Sequence, residues 1–166
     1  MRPGDDLAAL VAAAAPLDLS DDDALVVAHK VVSKAEGRLR RLSEVEPGRR
    51  AVALAAEHDK DARLVQAVLD ESAALLRAER GVLISETRHG FVCANAGVDR
   101  SNAAEEDELV LLPADPDASA RSLRAGIAAA RGVRPAVIVS DSFGRPWRLG
   151  QTDVAIGAAG LAPLED

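Results

Sequence analysis

The sequence predicts a mixed α/β (α+β) protein, and three observations lead there. Ala-rich stretches with helical caps occur near the start of the chain and again in its last third, as in "DDLAALVAAAA" and "DPDASARSLRAGIAAARG". Runs of β-branched and apolar residues, "ALVVAHKVV" and "AVIVSD", read as buried strands. Between them, "GVLISET" and "FVCANAGVD" flank the short "RHG" stretch in the pattern of a hairpin. Four helices and six or more short strands follow. Their order along the chain does not by itself predict a topology.

In chain order, Asp5 or Asp6 caps a first helix over "LAALVAAAA", and Pro16 ends it. The acidic run Asp21 to Asp23 reads as a solvated loop. A buried strand is expected from Ala24 to Val31, which sets Lys30 and Lys34 at its carboxyl end. "GRLRRL" supplies a short strand. Pro47 suits the first turn of a helix reaching Glu57, and His58 reads as its exposed end. "DARLVQAVLDES" is a second helix, with Leu64, Val65, Val68 and Leu69 on one face. The hairpin turns at Arg88 to Gly90. "RSNAAEEDE" is a polar loop and "LVLLP" a short strand. The last helix starts at Pro116, is capped by Asp115 and stops at Gly132. No repeat or low-complexity tract breaks the pattern.

Bulk composition narrows the class. The chain has 166 residues, 48% apolar and 28% charged, as expected for a globular protein. Aromatics make up only 2%, so the core must be built from Ala, Val and Leu. Net charge is −7, which argues against a general nucleic-acid binder. No apolar run reaches the length of a membrane span, and "MRPGDDLAAL" has no signal-peptide core. A cytoplasmic protein without membrane or nucleic-acid partners is expected. A single cysteine, Cys93, excludes an internal disulfide and a cysteine-rich zinc site, and its place in a strand predicts packing rather than reactivity.

Candidate chemistry gathers where apolar strands end. Asp99 closes "FVCANAGVD" and Asp141 closes "AVIVSD". Carboxylates at strand ends can hold a hard cation, with Ser142 adding a hydroxyl oxygen. Turn or helix capping is the competing reading for each, and spacing alone leaves the two equally open. Asn95, Gly97 and Asn102 flank Asp99 and suit either ligand contacts or turns. The chain has 17 Arg but only 3 Lys, and two of these, Lys30 and Lys34, fall close together. Compact ammonium groups suit a crowded phosphate site. Chance is the alternative. Arg145 and Arg148 straddle Trp147, where they can bind an anion or clasp the indole. His29 and His89 are far apart and lack metal spacing, so structural or hydrogen-bonding roles are expected. No Walker-type or G-x-G-x-x-G loop is present, so any nucleotide would be held in another way.

Four stretches carry a resemblance: "AHKVVSKAEGR", "ETRHGFVCANAGVDRSN", "DPDASARSLR" and "VIVSDSFGRPWRLGQTDVAIG". In this order they closely resemble the coenzyme F420:L-glutamate ligase family, also called coenzyme F420-0 gamma-glutamyl ligase. The resemblance covers essentially the whole chain. It implies a GTP-dependent amide ligase that adds L-glutamate to F420-0 and extends a gamma-linked tail through an acyl phosphate. It implies two divalent ions, Mg2+ or Mn2+, and a K+ ion. Residue by residue, Asp99, Asp141 and Ser142 fall on metal positions, where many members have Thr in place of Ser142. His29, Lys30, Lys34 and Asn102 fall on nucleotide positions, and His29 departs from the Ser common there. Arg145 and Arg148 belong to the last motif and are assigned to an acidic group of F420-0 or glutamate.

The implied fold is mixed α and β with two intertwined subdomains, as a homodimer. The family's ligase domain is longer than 166 residues, with a preceding strand and a following segment. The expectation is therefore a partial ligase domain, such as that of an actinobacterial bifunctional member with a further flavin-binding domain. Two rival functions remain: a metal-dependent phosphatase, and a catalytically incomplete nucleotide- or F420-binding fragment.

Overall fold

A computed structural model describes residues 1–100, 107–144 and 151–162, without the side chains of Phe143, Gly144 and Gln151. Within it the chain forms two compact units. One comprises Met1–Arg38, Leu112–Ser142 and Thr152–Asp166; the other comprises Leu39–Leu111 and Phe143–Gln151. Mixed α/β content is as the sequence predicts, with five α-helices and eight strands among the described residues.

The first unit is built on a three-stranded sheet. Strand β1 (Ala24–Ala28) pairs in parallel with β7 (Ala136–Gly144), and β8 (Gln151–Ala159) lies on the other side of β7. β7 is the central strand, and its Val137 and Val139 are fully buried. Helix α1 (Leu7–Ala14) begins at Asp6, whose carboxylate accepts the Ala9 N–H. It packs against α5 (Pro116–Arg131) through small residues: a Cβ added to Gly126 would stand 2.3 Å from Ala8 Cβ. Arg131, in the last turn of α5, donates to the carbonyls of Ala12 and Pro16 at 2.7 and 2.8 Å. It thereby satisfies acceptors that the end of α1 leaves open. Helix α5 runs from its Asp115 cap to a left-handed Gly132, as read from sequence.

The expected buried strand over Ala24–Val31 needs correction. It ends at Ala28, and residues His29–Ala35 form helix α2. Among the described residues it is also an edge strand, with Val26 64% exposed and only Val27 buried. The β-branched run conceals a helical spacing: His29, Val32 and Ser33 are the buried positions of α2. Lys30 and Lys34 therefore sit one turn apart on a helix, not at a strand end.

The second unit has two small sheets. Strands β2 (Leu39–Arg41) and β6 (Glu108–Val110) pair antiparallel, as do β3 (Ser72–Glu79), β4 (Val82–Thr87) and β5 (Val92–Ala94) in sequence order. The hairpin read across Arg88 to Gly90 is β4–β5. Strand β3 has no counterpart in the sequence reading. It turns into β4 through Arg80 and Gly81, both at positive φ, the backbone that tight hairpins favour. Helices α3 (Arg49–His58) and α4 (Ala62–Glu71) cover a core of Leu42, Ala51, Val65, Val68, Leu83 and Leu109.

Two details differ from expectation. Pro47 precedes the α3 cap, Gly48, whose N–H is taken by Gln66 Oε1 at 2.9 Å. His58 is half-buried rather than exposed, and its Nε2 makes no hydrogen bond among the described residues. Cys93 is buried, as expected. Among the described residues no helix is long and apolar enough to cross a membrane.

Candidate functional site

The parallel register of β1 and β7 organises the first unit's polar cluster. Ala28 pairs with Ser140, so the next residue on each chain, His29 and Asp141, emerges at the same level. At that point β1 gives way to α2, whereas β7 continues to Gly144, so Asp141 lies within its strand rather than closing it as the sequence suggests. His29 Nε2 lies 3.2 Å from Asp141 Oδ1, with the two side chains 2% and 16% exposed. One turn along α2, the buried Ser33 Oγ lies 3.3 Å from His29 Nδ1. Nε2 thus faces the carboxylate at ion-pair distance, and an ionised carboxylate can only accept from it. Nδ1 and the Ser33 hydroxyl share a hydrogen bond whose direction follows the ring's tautomer.

Asp141 Oδ1 receives a second donor, the backbone N–H of Ser142 at 2.8 Å. Among the described residues no hydrogen bond or ion pair falls on Oδ2. Ser142 Oγ donates to Asp153 Oδ1, on the neighbouring β8, at 2.5 Å. Two carboxylates and a hydroxyl thus occupy adjoining strands, and Ser142 and Asp153 are solvent-exposed. This donor set is all oxygen, which matches a hard divalent cation. Mg2+ and Mn2+ ordinarily keep waters and phosphate oxygens among their ligands, so one or two protein oxygens suffice to hold one. Among the described residues no group of three His, Cys, Asp or Glu side chains forms a closed metal cage.

Lys30 and Lys34 are half-buried and lie at i and i+4 on α2, hence on one side of the helix that carries His29. Asp99 belongs to the second unit. It is half-buried and held by paired backbone bonds with Val110, at 3.0 and 2.8 Å. The turn before it is unusual: Asn95, Ala96 and Gly97 have φ of 53°, 51° and 72°, three successive left-handed residues. Ala96 sits there 2% exposed, so its methyl is packed while its backbone is strained by about 1–2 kcal/mol. Asn95 and Gly97 therefore carry the turn chemistry that was one of their two readings. Asn102, Arg145, Trp147 and Arg148 lie outside the described residues.

Two members of the cluster were not singled out by sequence. Asp153 stands in "GQTDVAIG", where only strand pairing reveals Ser142 as its neighbour. Ser33 is visible only once residues 29–35 are known to be helical. His89, expected to be structural, stacks its ring on Phe91 with centroids 5.8 Å apart.

These features describe a mixed α/β protein with an oxygen-rich cluster on two adjoining strands, β7 and β8. The whole chain, residues 1–166, matches the family described as F420-0:Gamma-glutamyl ligase. It is 48% identical over 166 residues to the coenzyme F420:L-glutamate ligase of Methanopyrus kandleri, covering 100% of this chain and 65% of that protein. The ligase of the same name from Haloarcula marismortui is 48% identical over 172 residues, with the same coverage. That of Methanothermobacter thermautotrophicus is 46% identical over 167 residues, covering 98% of this chain and 66% of that protein. The chain belongs to the F420-0:gamma-glutamyl ligase family, and it spans about 65% of the length of these relatives.

Proposed function

We propose that the chain carries the phosphate-handling part of a GTP-dependent amide ligase that joins L-glutamate to F420-0 and then extends the gamma-linked tail. The observation that supports this most is Asp141: in a chain of this family, a carboxylate on the central strand β7 is braced through one oxygen, and no contact among the described residues falls on the other. In the proposed reaction a carboxylate oxygen of the acceptor attacks the γ-phosphorus of GTP. The bond from that phosphorus to GDP breaks, leaving an acyl phosphate. The amine of glutamate then attacks the acyl carbon, inorganic phosphate leaves, and the amine gives up a proton as the amide forms.

Two divalent ions, Mg2+ or Mn2+, would supply charge neutralisation at the phosphates. Asp99, Asp141 and Ser142 are the assigned holders, and a K+ ion completes the set expected for the family. Lys30, Lys34 and Asn102 are assigned to the nucleotide, and Arg145 and Arg148 to an acidic group of F420-0 or glutamate. The working state proposed is a cytoplasmic homodimer.

Calorimetry of GDP binding tests the reading, with and without Mn2+, with ADP as control and Asp141→Ala beside the natural chain. Guanine-selective, Mn2+-dependent binding that the substitution removes is the expected result, and a glutamate-ligation assay follows. Absence of metal-dependent binding in the natural chain would overturn the assignment for these 166 residues. GDP binding without any turnover would leave a nucleotide-binding fragment, and phosphate release from GTP without glutamate would make it a phosphatase.

A further inference from the structure

We infer that His29 is a positioning residue for Asp141 rather than a contact for the nucleotide. This rests on the reading of Asp141 as a metal-holding carboxylate. The ring is 2% exposed, which leaves little of it for a ligand to touch. Its two nitrogens are already engaged, Nε2 by Asp141 Oδ1 at 3.2 Å and Nδ1 by Ser33 Oγ at 3.3 Å. Ser33 is completely buried, so the ring is gripped from behind by a group that cannot turn to solvent. The consequence is directional. His29 and the Ser142 N–H both fall on Oδ1 and hold that oxygen, while no contact among the described residues falls on Oδ2. A carboxylate held this way does not have to be ordered when a cation arrives, and partners of this kind behind metal ligands commonly change metal affinity 10–100-fold when removed.

The site has its own construction logic. His29 reaches Asp141 because β1 and β7 are in parallel register and because α2 starts immediately after β1.

The test is Mn2+ binding to the 166-residue chain in the absence of nucleotide, read from the electron paramagnetic resonance signal of free Mn2+. His29→Leu fills the buried space without a donor and is expected to weaken Mn2+ binding roughly 10–100-fold. His29→Gln places an amide N–H near the position of Nε2 and is expected to recover most of that loss. Asp141→Ala is the reference, expected to remove the binding. Thermal melting followed by circular dichroism accompanies each variant. If His29→Leu does not fold, the comparison of His29→Gln with His29→Asn, whose shorter amide cannot reach Asp141, replaces it. Unchanged Mn2+ affinity in the folded donor-less variant, with Asp141→Ala still defective, would overturn the role of His29 and leave the metal reading intact. Unchanged affinity in Asp141→Ala would overturn both. A nucleotide contact predicts a different pattern: normal Mn2+ binding with weakened GDP binding.

Discussion

Gly126→Ala sets two opposing effects against each other at the α1–α5 contact. Alanine in place of glycine inside a helix is worth about 1 kcal/mol of stability through propensity alone. Here the new methyl would stand 2.3 Å from Ala8 Cβ, where carbon atoms normally keep about 3.5–4.0 Å. The helices must part by roughly 1 Å or more to make room. Such a shift is resisted on several sides. Ile127 and Ala12 are buried beside the contact, at 0% and 4% exposed. Arg131 also binds the end of α1 through the carbonyls of Ala12 and Pro16. Overpacking of this sort typically destabilises by about 1–3 kcal/mol. The net expectation is a loss of up to about 2 kcal/mol once the propensity gain is subtracted. Urea denaturation followed by circular dichroism measures it as a lower midpoint. In an Ala8→Gly background the obstructing methyl is gone, so the same Gly126→Ala change should become stabilising by about 1 kcal/mol. An equal effect in both backgrounds, or a stabilised single variant, would refute the argument that the two helices meet through this glycine.

Two further expectations concern β8 and the start of α4. At Gly157 an added Cβ would meet the backbone of Pro116, with its carbonyl carbon at 2.3 Å and oxygen at 2.4 Å. No side-chain rotation relieves that clash, so Gly157→Ala should destabilise by about 2 kcal/mol or more in thermal or urea unfolding and displace β8 from α5. Arg63 beside Asp61, the cap of α4, holds the Asp61 carboxyl down at about 2, below its ordinary value of 3.8. A depressed acid stabilises the folded chain above its unfolded value and loses that contribution as pH falls from about 4 towards 2. The pair is open to water, so Asp61→Asn should flatten the acid limb of the stability profile by less than about 1 kcal/mol, measured by melting from pH 2 to 6.

Elements bounded by chemistry were legible in the sequence. Helix α5 carries an Asp cap, a Pro at its first position and a terminal Gly, and each acts locally. The β4–β5 hairpin and the buried Cys93 follow from short-range pattern in the same way. What sequence could not separate was strand from helix in "ALVVAHKVV", because β-branched residues serve either once buried. Strand β3 escaped for a different reason. Its pairing with β4 is interrupted by irregularities between Ser72 and Ala74 and between Leu75 and Arg77, so its side chains do not alternate cleanly. At the site, Asp141 was visible because it ends an apolar run. Its partners were not, since Asp153 depends on strand pairing and Ser33 on the helical turn. Their proximity is a product of register rather than of any local motif.

The pairing of β1 with β7 also has a consequence for how the chain is made. Ala24 and Ala136 are register partners although 112 positions separate them along the chain. At the usual pace of synthesis, roughly 5–20 residues per second, β1 emerges about 5–20 s before its partner exists. In that interval "ALVVA" presents an unpaired edge with exposed valine, the feature that invites association with other nascent chains. Residues 39–111, by contrast, meet most of their partners within one contiguous stretch and can fold as they appear. Residues 39–111 then assemble first, and the sheet that carries Asp141 closes after them.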